Sequence, residues 1–179
     1  EGLYFGDAHD AFLLAKMLPK PKWDDLPLRL VDVSAPVHDE NGNFIGVLCG
    51  HLSLDWAFET RERMLDQLSR DQLDLLVLNH EGKVLMGTPH LPSLTVNLNS
   101  LSTVQGLSNT TRQVAIDTWP DQKKYLTASV RETPFRNYPG MGWIFVARKP
   151  LAVALEPAAN LSKLILIAGA GTATLFFVI

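Results

Sequence analysis

The sequence predicts an α+β protein with two antiparallel β-sheets, a helix that connects them, and a C-terminal transmembrane helix. Three observations predict this class. Two apolar hairpin patterns, at 28–54 and 73–87, each enclose a turn that contains glycine. A charged amphipathic stretch lies between them, and 16 consecutive uncharged residues run from Leu164 to Ile179.

The composition is that of an ordinary globular chain. It has 179 residues, 46% hydrophobic and 20% charged, with a formal net charge of -3. This length gives room for one or two small domains, each with its own core. Because there is no basic field, a nucleic-acid partner is not expected. The single cysteine, Cys49, excludes an internal disulfide, and its apolar surroundings predict a small core residue.

The first segment, "DAHDAFLLAKMLP" at 7–19, is predicted to form a short amphipathic helix. Asp7 is placed as its N-cap and Pro19 as its end. A polar loop, "KPKWDDLP", follows.

The first hairpin consists of "LRLVDVSAPV" (28–37) and "NFIGVLCGHLSL" (43–54). Both runs are rich in Val, Ile and Leu, which favours strands. In the intervening "HDENG", Asn41 and Gly42 are expected to supply the positive φ of a tight turn.

A connecting helix is predicted over 55–72. Trp56, Thr60, Met64 and Leu68 recur every four residues against a charged face, which indicates one apolar stripe.

A second hairpin, at 73–87, repeats the pattern of an apolar run, a His-acid turn ending in Gly and another apolar run, which indicates a weak internal duplication. Three further strands are predicted at 112–119, 124–132 and 142–149. Together these segments predict a five-stranded antiparallel sheet.

The apolar tail predicts a membrane span. Nine of the 16 residues from Leu164 to Ile179 are Leu, Ile, Val or Phe. As a helix they rise about 24 Å, whereas a bilayer core of about 30 Å needs about 20 residues. We therefore expect a truncated span and a sequence that is a fragment open at both ends. The alternative is a terminal helix buried in protein.

These residues carry a family resemblance. "APVHDENGNFIGVLCGHLSLDW", a connecting helix, "LVLNHEGKVL", and "GMGWIFVARKPL" before an apolar helix resemble a double Cache sensor domain, a tandem PAS-like module on the outer face of bacterial membrane receptors. The resemblance implies four segments: the later half of an incomplete membrane-distal module at 1–54, a connector at 55–72, a membrane-proximal module at 73–149, and a helix entering the membrane at 150–179, with its span from about 162.

The resemblance also implies a function. It predicts an extracytoplasmic, ligand-sensing region at the bacterial inner membrane, with residues 1 to about 161 outside the cytoplasm and a homodimer formed through membrane and N-terminal helices. "GDAHDAFLLAKMLP" and "HLSLDWA" are similar to the sensors of diguanylate cyclases and histidine kinases, so these outputs are favoured. The alternatives are a chemoreceptor sensor and a membrane-anchored protein-binding module without a small-molecule ligand.

Five residues are candidates for ligand binding. The resemblance implies Phe5 and Asp7, which fit an aromatic-x-Asp element of amino-acid-binding members, and His51, which stands where those members carry an aspartate. Asp32 and Ser34 share one strand face by alternation, and an acid within "LVDVSAPV" is costly unless paired or solvated by a cavity. The ligand class left open is an amine, amino acid or carboxylate.

Each candidate has a simpler interpretation. Asp7 as a helix cap, Asp32 facing water and His51 as a satisfied edge residue need no ligand. A cleft lined by Asp32 and His51 would favour direct sensing, whereas a filled core would favour a protein partner. Trp56 and Trp143 are predicted to pack in the core.

Catalysis and cofactors are not predicted. The sequence contains no Gly-x-Ser-x-Gly and no zinc-protease pair, and its candidate ligands do not share a helix at i, i+4 spacing. We therefore expect no catalytic residue, metal or cofactor.

Overall fold

The computed structural model of the chain describes residues 2–12, 14–18, 28–67, 72–87 and 97–178. Within these ranges the predicted α+β fold is confirmed. It has two antiparallel sheets, a helix between them in sequence and an apolar C-terminal helix.

The first sheet is centred on a long hairpin of β3 (Arg29–His38) and β4 (Phe44–Ser53). Two short strands, β1 (Tyr4–Phe5) and β2 (His9–Asp10), pair antiparallel with β3. Among the described residues β4 pairs with β3 alone, so the other edge of β4 carries no strand there.

The predicted helix over 7–19 is wrong. Among its described residues, His9–Asp10 pairs with β3, the Ala11 N–H donates to Leu28 O at 2.9 Å, and Leu14–Lys16 forms a short 3₁₀ turn. The open edge of β3 satisfies the backbone groups that a helix would have paired, which overrides the local pattern. Pro19 and the loop after it lie outside the described residues.

The turn between β3 and β4 is held by one carboxylate. Asp39 Oδ1 accepts hydrogen bonds from the backbone N–H groups of Asn41 (2.9 Å) and Asn43 (2.7 Å). The predicted positive φ occurs at Gly42, at 83°, and not at Asn41. The Asp39 side chain makes an Asx-type turn, to which Asn41 contributes its backbone N–H rather than a left-handed conformation.

Helix α1 (Asp55–Gln67) follows β4 directly, and its buried residues are Phe58 and Arg61. The predicted stripe is not buried, since Trp56 is 58% exposed and Met64 47%, and Leu68 lies outside the described residues. The helix packs through Phe58 and, three residues later, Arg61. The Arg61 guanidinium donates a hydrogen bond to a backbone carbonyl. Trp143 is buried as predicted, but Trp56 is not.

The predicted five-stranded sheet is confirmed. Its strands are β5 (Asp74–Leu78), β6 (Val84–Met86), β7 (Arg112–Thr118), β8 (Lys124–Arg131) and β9 (Ile144–Pro150). Their spatial order is β6-β5-β9-β8-β7. A one-turn helix, α2 (Ser102–Gln105), precedes β7.

The β5–β6 turn repeats the chemistry of the β3–β4 turn. Asn79 Oδ1 accepts from the backbone N–H groups of Glu81 (3.0 Å) and Lys83 (2.9 Å), and Gly82 has a φ of 78°. The repeated sequence pattern therefore corresponds to a repeated turn geometry.

One apolar cluster joins the two sheets. It brings Val31 of β3 and Phe58 of α1 against Val77, Leu85 and Trp143 of the five-stranded sheet and its loops. A separate, larger cluster lies between that sheet and α2. The first sheet and α1 therefore pack against the second sheet through this cluster.

Helix α3 (Leu151–Val178) continues from β9 without a loop. Its stretch Leu151–Ala170 is long and apolar enough to cross a membrane, and none of that stretch is buried. The alternative of a terminal helix buried in protein is therefore wrong for the described side chains, among which Leu164 and Ile167 are exposed.

Candidate functional site

The register of the β3–β4 hairpin creates a polar face on the first sheet. Asp32 lies opposite His51, and Ser34 lies opposite Cys49. Because strand side chains alternate, these four share one side of the sheet. His9, from β2, reaches the same side. We call His9, Asp32, Ser34, Cys49 and His51 the polar face.

The Asp32 carboxylate bridges two imidazoles. Its Oδ1 lies 2.6 Å from His51 Nδ1, and its Oδ2 lies 3.1 Å from His9 Nε2. The Asp32 side chain is 28% exposed, and those of His51 and His9 are 42% and 45% exposed. Two hydrogen-bonding imidazoles and partial exposure to solvent therefore offset the desolvation cost of placing an acid within an apolar run.

These contacts shift the pKa values of two groups. Partial burial acts to raise the pKa of Asp32, but the hydrogen bonds and charges of His51 and His9 outweigh it and hold the pKa below its ordinary value. The pKa of His9 is raised by its hydrogen bond to the Asp10 carbonyl and, against some desolvation, by Asp32. The pair is therefore stabilised as carboxylate and imidazolium.

The opposite side of the first sheet faces an apolar cavity of about 530 Å³. Phe5 lines it and packs edge to face against Tyr138, with ring centroids 4.9 Å apart. Its other walls come from β3, α1 and the second sheet, with Val33, Trp56, Met64 and Phe145 among them. Asp32 and His51 do not line this cavity, so the cleft that would favour direct sensing is absent on the cavity side of the described structure.

Asp7 occupies a third position, at the junction of the two sheets. Its Oδ1 accepts from Trp143 Nε1 at 2.9 Å and from the Ala8 backbone N–H at 2.8 Å. His80 Nδ1 lies 4.0 Å from its other oxygen. Since no helix begins here, Asp7 is not a helix cap.

The structure therefore brings together three of the five predicted residues. Asp32, Ser34 and His51 share the polar face, whereas Phe5 lines the cavity and Asp7 joins the sheets.

Sequence reasoning missed two members of the polar face. Cys49 is exposed, so its prediction as a core residue is wrong. Cys49 lies two residues before His51 on β4, so strand alternation was an available signal that the two residues share a face. His9 lies on a two-residue strand within a helix-like pattern, so the sequence carried no comparable signal for it.

Comparison with known proteins gives similarity at the level of the fold. No protein-family model and no curated protein matches the sequence. The periplasmic sensory domain of the Campylobacter jejuni chemoreceptor Tlp1 is similar with a TM-score of 0.61 and 16% identity, over 87% of this chain and 52% of that one. The ligand-binding domain of the Pseudomonas aeruginosa PAO1 amino-acid chemoreceptor PctC, in complex with GABA, is similar with a TM-score of 0.53 and 15% identity, over 83% and 56%.

The chain thus spans about half the length of each of these two domains. Identities this low carry information on the fold alone. The chain shares the fold of these two extracytoplasmic domains, which is consistent with the resemblance found in the sequence.

Proposed function

We propose that the chain is the extracytoplasmic ligand-sensing region of a membrane-bound bacterial signal-transduction protein. The observation that carries this proposal is the direct continuation of β9 into the exposed apolar helix α3. A displacement within the second sheet then has a covalent route into a membrane. The fold shared with the sensory domains of Tlp1 and PctC supports the same function.

The proposed ligand is a small solute of the amine, amino-acid or carboxylate class. Asp32 accepts hydrogen bonds from an ammonium group, and the imidazoles of His9 and His51 donate to a carboxylate. The solute lies against Asp32, Ser34 and His51. GABA, present in the structure of PctC, carries both an amine and a carboxylate, which supports this class.

Phe5 and Asp7 act at a distance from the polar face in this proposal. They contact Tyr138 and Trp143, in the loop between β8 and β9, so they link occupancy of the first sheet to the second.

The signal is a shift between two arrangements of the modules. A solute shifts such an equilibrium only by its difference in affinity for the two states, typically about 1–3 kcal/mol. The proposed units are a distal module at 1–54, a connector at 55–72, a proximal module at 73–149 and the membrane helix at 150–179. In a homodimer, relative movement of two α3 helices passes the shift to a cytoplasmic output. We favour a diguanylate cyclase or histidine kinase, with a chemoreceptor as the alternative.

A thermal-shift screen of the chain in lipid nanodiscs tests ligand binding. We expect an amine, amino acid or carboxylate to raise the unfolding temperature in a saturable manner. Asp32→Asn and His51→Gln should abolish this shift, whereas Glu40→Gln, in the exposed turn of the same hairpin, should preserve it. If no solute class stabilises the chain, direct solute sensing is refuted. A shift that is the same in all variants refutes binding at the polar face.

A protein-binding module is the second candidate, and the surface of β4 favours it. Phe44, Ile45, Val47 and Leu48 are all exposed on a strand whose outer edge has no partner strand among the described residues. Contiguous exposed apolar surface is typical of interaction sites. If no solute stabilises the chain and a Val47→Glu variant loses signalling, this function is favoured over direct sensing.

A further inference from the structure

We propose that the polar face binds a divalent transition-metal ion, represented by Zn²⁺, through Asp32, Cys49 and His51. One carboxylate oxygen, the Cys49 Sγ and one imidazole nitrogen of His51 all lie within 4.8 Å of one another. The metal ion would bind to the same polar face as the proposed solute, so this inference rests on the proposed function of that face. It differs from the expectation from sequence that the chain has no metal site.

The positions of these three groups follow from the hairpin. Cys49 and His51 alternate on β4 and so project to the same side. Asp32 lies directly opposite His51 on β3, in a continuous antiparallel ladder. The paired strands of a hairpin therefore bring metal-binding side chains close together, as i, i+4 spacing does on a helix.

The separations suit a small coordination sphere. Around Zn²⁺, with bonds of about 2.0–2.3 Å, tetrahedral ligand atoms lie about 3.3–3.8 Å from one another. Groups already within 4.8 Å reach these separations by side-chain rotation, without moving the strands. A thiolate with an imidazole selects zinc, cobalt or copper over the harder magnesium and calcium ions.

His9 has the geometry of a positioning residue. Its Nε2 lies 3.1 Å from Asp32 Oδ2, while Oδ1 is the oxygen that faces His51. Holding Oδ2 orients the carboxylate so that Oδ1 points toward His51, as outer partners of metal ligands commonly orient them.

The remaining coordination position faces solvent, because Asp32, Cys49 and His51 are all accessible. Three protein ligands with one open position describe a site that exchanges water or a solute rather than a closed structural site.

Titration of untagged, metal-free chain in lipid nanodiscs with Co²⁺ tests the site. We expect one Co²⁺ per chain, with the thiolate-to-cobalt charge-transfer absorption and the strong visible bands of a four-coordinate ion. Cys49→Ser should lose the charge-transfer absorption, and His51→Ala should lose saturable binding. His9→Gln should keep the spectrum and weaken affinity about 10–100-fold.

A matched control is His38→Gln, which changes an exposed histidine of the same hairpin outside the polar face. It should bind Co²⁺ as the unmodified chain does. As a second readout, Zn²⁺ should slow alkylation of Cys49 by iodoacetamide in the unmodified chain, which avoids any question of whether a variant folds. No thiolate band, or no protection of Cys49 at saturating Zn²⁺, overturns the inference.

Failure here is distinguishable from failure of the proposed function. The solute screen is run on both chelator-treated and Zn²⁺-loaded chain. Solute stabilisation without cobalt binding overturns the metal site and leaves the sensor proposal standing. Cobalt binding with no effect of any organic solute supports the metal site and refutes organic-solute sensing.

Discussion

Arg148 holds β9, the strand that continues into α3, in the second sheet. We expect its removal to lower the free energy of unfolding by a measurable amount. Arg148 is 4% exposed on β9. Its Nε and Nη2 both donate to Asp74 Oδ2 of β5 at 2.9 Å. Its guanidinium carbon lies 4.1 Å from the ring centroid of Trp119 and 4.4 Å from that of Tyr125. The side chain therefore ties β9 to β5 and to two aromatic rings.

The expected cost of Arg148→Ala follows from these contacts. Breaking a buried ion pair by removing one partner costs about 3–5 kcal/mol, which we reduce to about 2–3 kcal/mol because the Asp74 side chain is 29% exposed. Loss of the stacked cation adds about 1–2 kcal/mol. We therefore expect unfolding free energy to fall by about 3–5 kcal/mol.

A urea titration in detergent micelles, followed by tryptophan fluorescence, measures this loss. With an m-value of about 2 kcal/mol/M, the midpoint should fall by about 1.5–2.5 M. Arg112→Ala, at an exposed position of β7 in the same sheet, is the control and should change stability by less than about 0.5 kcal/mol. A loss below about 1 kcal/mol for Arg148→Ala, or equal losses in the two variants, would refute the reasoning.

Two further predictions concern the hairpin turns. Gly42→Ala should cost about 1 kcal/mol because only its φ of 83° is strained, whereas Gly82→Ala should cost about 2–4 kcal/mol because its Cβ would also lie 2.5 Å from Asn99 Oδ1; equal midpoints in thermal unfolding would contradict this. The hydrogen bond from the Asn43 side chain and those from backbone N–H groups hold the pKa of Asp39 below its ordinary value of 3.8. Asp39 therefore adds stability above pH 3.8, and this is lost as the pH falls through the lower, folded-state value. In a carboxyl NMR titration Asn43→Ala should raise this pKa, and an unchanged value would refute the assignment.

The hairpins and the five-stranded sheet were predictable because their signals are local. Alternating or continuous apolar runs around a glycine turn specify strand, turn and strand within about 15 residues. The β3–β4 and β5–β6 turns both use an acceptor side chain and a following glycine, and both are visible in the sequence.

The errors arose where tertiary contacts decide the structure. The segment 7–19 reads as a helix, but the open edge of β3 extends its first part. In α1 the buried residues include Arg61, whose guanidinium donates to a backbone carbonyl, so a stripe judged by hydrophobicity alone missed it.

The candidate site was predictable in part for the same reason. Alternation correctly placed Asp32 and Ser34 on one face. The partners of Asp32 depend on hairpin register, which includes an irregularity between Val37 and His38, and on the docking of β2. Neither is encoded by spacing alone.

Labelling of Cys49 tests the central claim, which is that both sheets lie outside the membrane and α3 crosses it. Cys49 is the only cysteine of the chain, and its side chain is exposed. Spheroplasts expressing the chain are treated with a membrane-impermeant maleimide before and after lysis. The account predicts full labelling of Cys49 in intact spheroplasts, with no further labelling after lysis. Labelling that appears only after the membrane is disrupted would contradict it.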